Sequence, residues 1–158
     1  MTWTRFLALA GFLAATLATG ALGGLATAAS VQTWYPTLVK PTWNPPSWVF
    51  GPVWTTLYVF MAVAAWRVWR QSDHPGRGRA LRWFWAQLAL NCAWSFLFFG
   101  LRSPGLAFME IVPLWGAIVA TLIQFVRIDR VAAVLWAPYL AWVTFASVLN
   151  GTIWWLNR

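Results

Sequence analysis

Acid, histidine and cysteine are all scarce in this sequence. Asp73, Glu110 and Asp129 are its only carboxylates, and His74 and Cys92 are its only histidine and cysteine. A metal centre needs several such ligands at set spacing, and nucleophilic or acid–base catalysis needs a base beside the reacting group. Cys92 sits in an apolar run without a base, His74 sits in a basic loop, and no glycine-rich phosphate loop is present. Hydrolase and dehydrogenase chemistry of the ordinary kinds is argued against, and a single cysteine rules out a disulfide framework. Residues of either charge make up only 9% of the chain, which is far from a soluble domain.

What the chain has instead is apolar and aromatic: 61% hydrophobic residues, 15 of the 158 positions being tryptophan. The net charge of +8 would point to nucleic acid in a soluble protein. Here the bases fall between apolar runs, so they read as signals of orientation in a bilayer, with lipid as the surrounding partner and no nucleic acid. The runs are Phe6 to Ala29, Val49 to Trp66, Trp83 to Leu101, Leu106 to Val126 (broken only by Glu110) and Val131 to Asn157. Each is close to the ~20 residues a helix needs to cross the hydrocarbon core, where a lone segment satisfies its backbone only as a helix. The expectation is a single all-α domain over 1–158, an integral membrane bundle of five transmembrane helices. Their spans are about 5–29, 47–69, 80–101, 104–127 and 130–157, with a lid loop at 30–48.

The first run has features of a secretory signal, with Arg5 before it and Ala26-Thr27-Ala28-Ala29-Ser30 after it. Its length, and Gly20 and Gly24 at small-xxx-small spacing, favour a retained packing helix. Arg5, Arg67, Arg70, Arg77, Arg79, Arg82, Arg127 and Arg130 fall on one side; Lys40, Arg102 and Arg158 fall on the other. That bias puts the N-terminus in the cytoplasm and the C-terminus, with the Trp34–Trp48 loop, outside. The Arg67–Arg82 segment reads as a solvated linker whose charges need no further role.

Trp34 to Tyr58 is the stretch around which the rest is arranged. Pro36, Pro41, Pro45 and Pro46 prevent an ordinary helix, while Pro52 is tolerable in the first turn of the next one. The loop carries Trp34, Tyr35, Trp43 and Trp48, and Trp54 and Tyr58 share one face of the helix that follows. A rigid aromatic lid and an interfacial aromatic belt are both open readings.

In the third helix Gln87, Asn91 and Ser95 form a polar stripe. Ala86, Ala89 and Ala93 form a small-residue stripe about 170° away, at about 100° per residue. The polar stripe should face the bundle interior and the small one a neighbouring helix, with interhelical hydrogen bonding as the plainer role for the polar side chains. Glu110 costs roughly 2.5–3.5 kcal/mol if ionised at mid-membrane, so it should be protonated, bonded inward or near water, and its role is structural. Pro113 and Pro138 fall within the last two helices. In the fifth, Trp142 and Ala146 share a face, a bulky ring beside a small residue, as do Ala146 and Asn150.

These residues carry a resemblance. Trp34-Tyr35 with Lys40-Pro41-x-Trp43-x-Pro45-Pro46, Phe50-x-Pro52-Val53-Trp54-x-x-Leu57-Tyr58 and Leu90-Asn91-x-x-Trp94-Ser95 with Phe98-Phe99-Gly100 come first. Leu114-Trp115, Asp129 and Pro138-Tyr139-x-x-Trp142 through Leu149-Asn150 follow in order. Together they resemble the tryptophan-rich sensory protein, or translocator protein, family (TspO/MBR). The resemblance implies a five-helix membrane bundle, usually a homodimer, here expected through Ala86, Ala89 and Ala93. It implies a pocket beneath the first loop that binds porphyrins such as protoporphyrin IX or haem, synthetic isoquinoline- or benzodiazepine-type ligands and, in some members, sterols. No cofactor is required. The matched pocket positions are Trp34, Tyr35, Trp54, Tyr58, Asn91, Trp142 and Ala146. Lys40, at the expected mouth, is placed to meet ligand carboxylates. Leu149 to Arg158 lacks the tyrosine of the animal sterol motif, which puts sterol in doubt. The implied role is a receptor or carrier; light-dependent porphyrin breakdown and a ligand-free regulatory partner are the alternatives.

Overall fold

The computed structural model describes residues 3–158. Among them the secondary structure is helical throughout: α1 (Trp3–Val31), α2 (Ser47–Trp69), α3 (Arg77–Ser95), α4 (Pro104–Ile128) and α5 (Arg130–Leu156). A short 3-10 turn, Tyr35–Thr37, interrupts the loop after α1, and a π-helical turn, Phe96–Gly100, closes α3. The helices pack as a ring in the order α1, α2, α5, α4, α3, and α3 returns to α1.

Four of the five, α1, α2, α4 and α5, are long and apolar enough to cross a membrane by themselves. Helix α3 is the exception to the sequence expectation. Arg77, Arg79 and Arg82 fall inside its first turns, and Gln87 and Asn91 lower its apolar character further. It is held in the ring by α1 and α4 on its flanks.

One half of the ring is filled. Met61, Phe84, Ile118, Phe125 and Trp136 are completely buried there, with Phe125 edge-on to Trp136 at 5.1 Å. At that end Trp66 donates its indole N–H to the Arg5 carbonyl at 2.9 Å, tying α2 to α1. Arg67 meets Asp129 at 3.0 Å, while Asp129 accepts from the N–H groups of Val131 and Ala132 and so caps α5. Arg67 is therefore not the idle linker charge that its loop composition implies. Burial acts to raise the Asp129 pKa, but its backbone hydrogen bonds and Arg67 outweigh that and hold it below the usual carboxylate range.

Two further expectations change. Helix α2 begins at Ser47, so Pro52 lies inside it rather than in its first turn. Gly20 and Gly23, not Gly20 and Gly24, are the close-packing glycines of α1. A Cβ on Gly20 would come within 2.5 Å of the Tyr58 ring and one on Gly23 within 2.9 Å of Ser95 Oγ, whereas one on Gly24 would meet nothing. On α4, both carboxylate oxygens of Glu110 are buried without a hydrogen-bond partner among the described residues.

Candidate functional site

The other half of the ring is hollow. A cavity of about 560 Å³ lies between α1, α2, α5 and the π-helical end of α3, beneath the α1–α2 loop. Eight aromatic residues line it, none of them on α1. Trp54 stacks on Tyr58 at 5.6 Å, Phe50 meets Trp142 edge-on at 5.9 Å, and Trp94 stacks on Phe98 at 5.2 Å. Two of these pairs follow from local spacing, Trp54 and Tyr58, like Trp94 and Phe98, being one turn apart on their helices, whereas Phe50 and Trp142 meet across α2 and α5. The π turn adds a residue to the last turn of α3, and both Phe98 and Phe99 reach the cavity wall. Such turns are frequent at functional sites.

The structure brings Tyr35, Trp54, Tyr58, Trp142 and Ala146 together around this one cavity. Trp34 and Asn91 are not among its lining residues. Trp34 packs edge-on against Phe98 at 5.7 Å. Asn91 lies behind Tyr58 and is buried in a polar chain. The Tyr58 hydroxyl donates to Asn91 Oδ1 at 2.7 Å, Asn91 Nδ2 donates to the Tyr139 hydroxyl at 3.2 Å, and Tyr139 donates to Gln87 Oε1 at 2.8 Å. The polar stripe of α3 is thus divided: Gln87 and Asn91 join helices, and Ser95 lines the cavity.

Composition alone did not single out Gly20, Gly23, Thr27, Phe50, Trp94 or Asn150 as wall residues. The signal for Asn150 was its shared face with Ala146. Its amide is already spoken for, accepting from Trp94 Nε1 at 3.0 Å and donating to the Pro104 carbonyl at 2.8 Å. The Trp142 indole N–H differs, being buried with no acceptor among the described residues.

The loop above is pinned. Asn157, at the end of α5, donates to the Val39 carbonyl and accepts from the Val39 N–H, both at 2.9 Å. Lys40 does not reach for the cavity. Its ammonium donates to the carbonyls of Tyr35 and Leu38 at 2.8 Å and of Pro36 at 3.4 Å, and lies over the Tyr35 ring. Tyr35, whose phenol burial pushes above its ordinary pKa, donates to Asn44 Oδ1 at 2.9 Å.

A five-helix membrane bundle enclosing an aromatic cavity under a tethered loop is the class that this architecture defines. The TspO/MBR family profile matches residues 12–156. The chain is 43% identical over 157 residues to the "Tryptophan-rich protein TspO" of Chlorobaculum tepidum, covering 97% of this chain and 98% of that one. It is 40% identical to the "Tryptophan-rich protein TspO" of Archaeoglobus fulgidus, covering 97% and 99%. With the human "Translocator protein" the identity is 41% over 123 residues, covering 77% and 73%. The chain belongs to the TspO/MBR family, and it is an integral membrane protein.

Proposed function

We propose that this protein is a membrane receptor or carrier whose cavity binds porphyrin-type tetrapyrroles and similar flat, apolar ligands. Membership of the family brings a sensory or transport-type role at the membrane. The observation that carries the ligand class is the cavity wall: Trp54, Tyr58, Trp94, Phe98 and Trp142 surround a space of about 560 Å³, within the range that encloses a small-molecule ligand. Planar rings gain roughly 0.5–1.5 kcal/mol per aromatic contact beyond the area they bury. Most polar atoms near the wall are already bonded within the protein, so apolar contact supplies affinity. An unpaired buried donor costs about 1–3 kcal/mol, which an acceptor on the ligand would recover at Trp142.

The test is titration of protoporphyrin IX into detergent-solubilised protein while tryptophan emission is followed. Quenching should saturate, and Ala146→Phe should abolish it by filling the cavity while the protein stays folded. Trp142→Ala should weaken binding more than Trp142→Phe, which keeps a ring. Equal loss with Trp3→Phe, on the 74%-exposed Trp3, would mean that the signal is partitioning into the micelle. A new absorbing product that requires light and oxygen would instead favour porphyrin breakdown.

The same reading includes a homodimer through α3. Ala86 and Ala89 lie exposed on its outer surface beside Trp85, and Ala93 is half-buried. Small residues let a second helix approach closely. Ala89→Leu with Ala93→Leu should separate the protomers in detergent; an unchanged particle size with the variant folded would move the interface elsewhere.

A further inference from the structure

Two routes into the cavity are conceivable, past the loop or between helices. The loop is fastened to the end of α5 by the paired bonds of Asn157 to Val39 and braced within itself by the three bonds of Lys40 and the bond from Tyr35 to Asn44. Ser30 adds another by donating to the Phe99 carbonyl at 2.7 Å, which fixes the end of α1 against the π turn.

The helix walls are not closed evenly. All cavity-lining residues on α3, its π turn and α5 are buried or half-buried, whereas Leu17, Ala21, Gly24 and Ala28 on α1 and Gly51 and Thr55 on α2 are exposed. Helical geometry, at about 100° per residue, says which seam they share. On α1, Gly23 faces Ser95 of α3 and Gly20 faces Tyr58 of α2. The exposed stripe of Leu17, Ala21, Gly24 and Ala28 lies on the Gly20 side, away from Gly23. On α2, Phe50 faces Trp142 of α5, and Gly51 and Thr55 lie on the opposite side of the cavity-facing arc. Both exposed stripes therefore border one seam, between α1 and α2. Apart from Leu17 its edges are small residues, and a Cβ added to Gly24 or to Gly51 would meet no atom within 4 Å.

We infer that this seam is a lateral portal, through which ligands enter and leave the cavity from within the bilayer and not past the loop. The inference rests on reading the cavity as a binding site, and it narrows the ligand class. Molecules that reach the site dissolve in the membrane first and are thin enough to slide edge-on between two helices. Planar macrocycles and fused-ring amphiphiles fit that description, and water-confined anions do not.

A cysteine at Ala146, in a Cys92→Ser background in lipid bilayers, reports access to the cavity without any natural ligand. An uncharged maleimide that partitions into lipid should label it faster than a charged maleimide confined to water. Gly24→Leu with Gly51→Leu should slow the uncharged reagent by about tenfold, since leucines there extend into open space at the seam. Asn157→Ala, which frees the loop from α5, should leave that rate unchanged. Faster labelling by the charged reagent, or acceleration by Asn157→Ala with no effect of the leucines, would overturn the portal. Protoporphyrin exchange on the same variants separates the two ideas. Loss of saturable binding by the parent protein would defeat the porphyrin reading, and the maleimide rates would still decide the route.

Discussion

The Tyr58 hydroxyl and the Asn91 side chain meet at 2.7 Å in the buried centre of the bundle, and through that bond the cavity wall is joined to a chain that ends at Gln87. Gln87 closes the chain by donating to the Phe84 carbonyl at 2.9 Å. Tyr58 thus has two duties: its ring lines the cavity, and its hydroxyl anchors the ring to α3.

Asn91→Ala should therefore act first on stability. A single interhelical hydrogen bond in a membrane protein averages ~0.6 kcal/mol, but this change strands the Tyr58 hydroxyl and removes a donor from the Tyr139 hydroxyl, which keeps its bond to Gln87. Stranded buried groups cost about 1–3 kcal/mol. Thermal unfolding in detergent should show the loss, with porphyrin affinity changing less and selectivity among tetrapyrroles shifting as Tyr58 is freed. Full stability with abolished binding would place Asn91 in direct contact with ligand.

Gly20 and Gly24 are expected to differ sharply. Gly20→Ala drives a methyl into the Tyr58 ring, and overpacking of this kind typically costs about 1–3 kcal/mol. Gly24→Ala meets open space and should be neutral or stabilising, because alanine is favoured over glycine in helices by about 1 kcal/mol. Melting curves of the two variants check this; equal destabilisation would disprove the close approach of α1 to Tyr58.

Asp129 makes the stability of the basic end depend on acid. Its folded pKa is lowered, so its contribution is fully present above the ordinary carboxylate pKa and is lost as pH falls through the folded value. Asp129→Asn should remove that acid-side loss and, by removing the charge paired with Arg67 and with the start of α5 while keeping a capping oxygen, cost about 1 kcal/mol at neutral pH. The comparison needed is unfolding of parent and variant across acidic pH. Identical profiles would show that the Arg67–Asp129 pair contributes nothing.

Orientation is open to direct measurement. The positive-inside bias predicts that a cysteine at Thr37, in a Cys92→Ser background, reacts with an impermeant maleimide from outside intact cells. One at Gly76 should not react. Labelling at Gly76 alone would invert the topology and leave the fold as it is.

The helices and the aromatic stretch were legible in the sequence because both depend on local chemistry. A charge-free run in lipid has to satisfy its own backbone, and residues one turn apart share a face whatever they pack against. The inward turn of Gln87 and Asn91 followed in the same way from the cost of polar groups in hydrocarbon. Relations between helices had no such local mark. The ring order, the use of Gly23 in place of Gly24 and the pairing of Arg67 with Asp129 arise only when distant segments meet. Lys40 shows the difference most plainly. The family resemblance puts it at a pocket mouth to meet ligand carboxylates, yet three carbonyls of the folded loop converge on its ammonium. Nor did periodicity separate Trp34 from Tyr35, adjacent rings in one loop. The 3-10 turn buries Tyr35 at the cavity wall and leaves Trp34 packed on Phe98, because backbone direction over one residue decides which side chain faces inward.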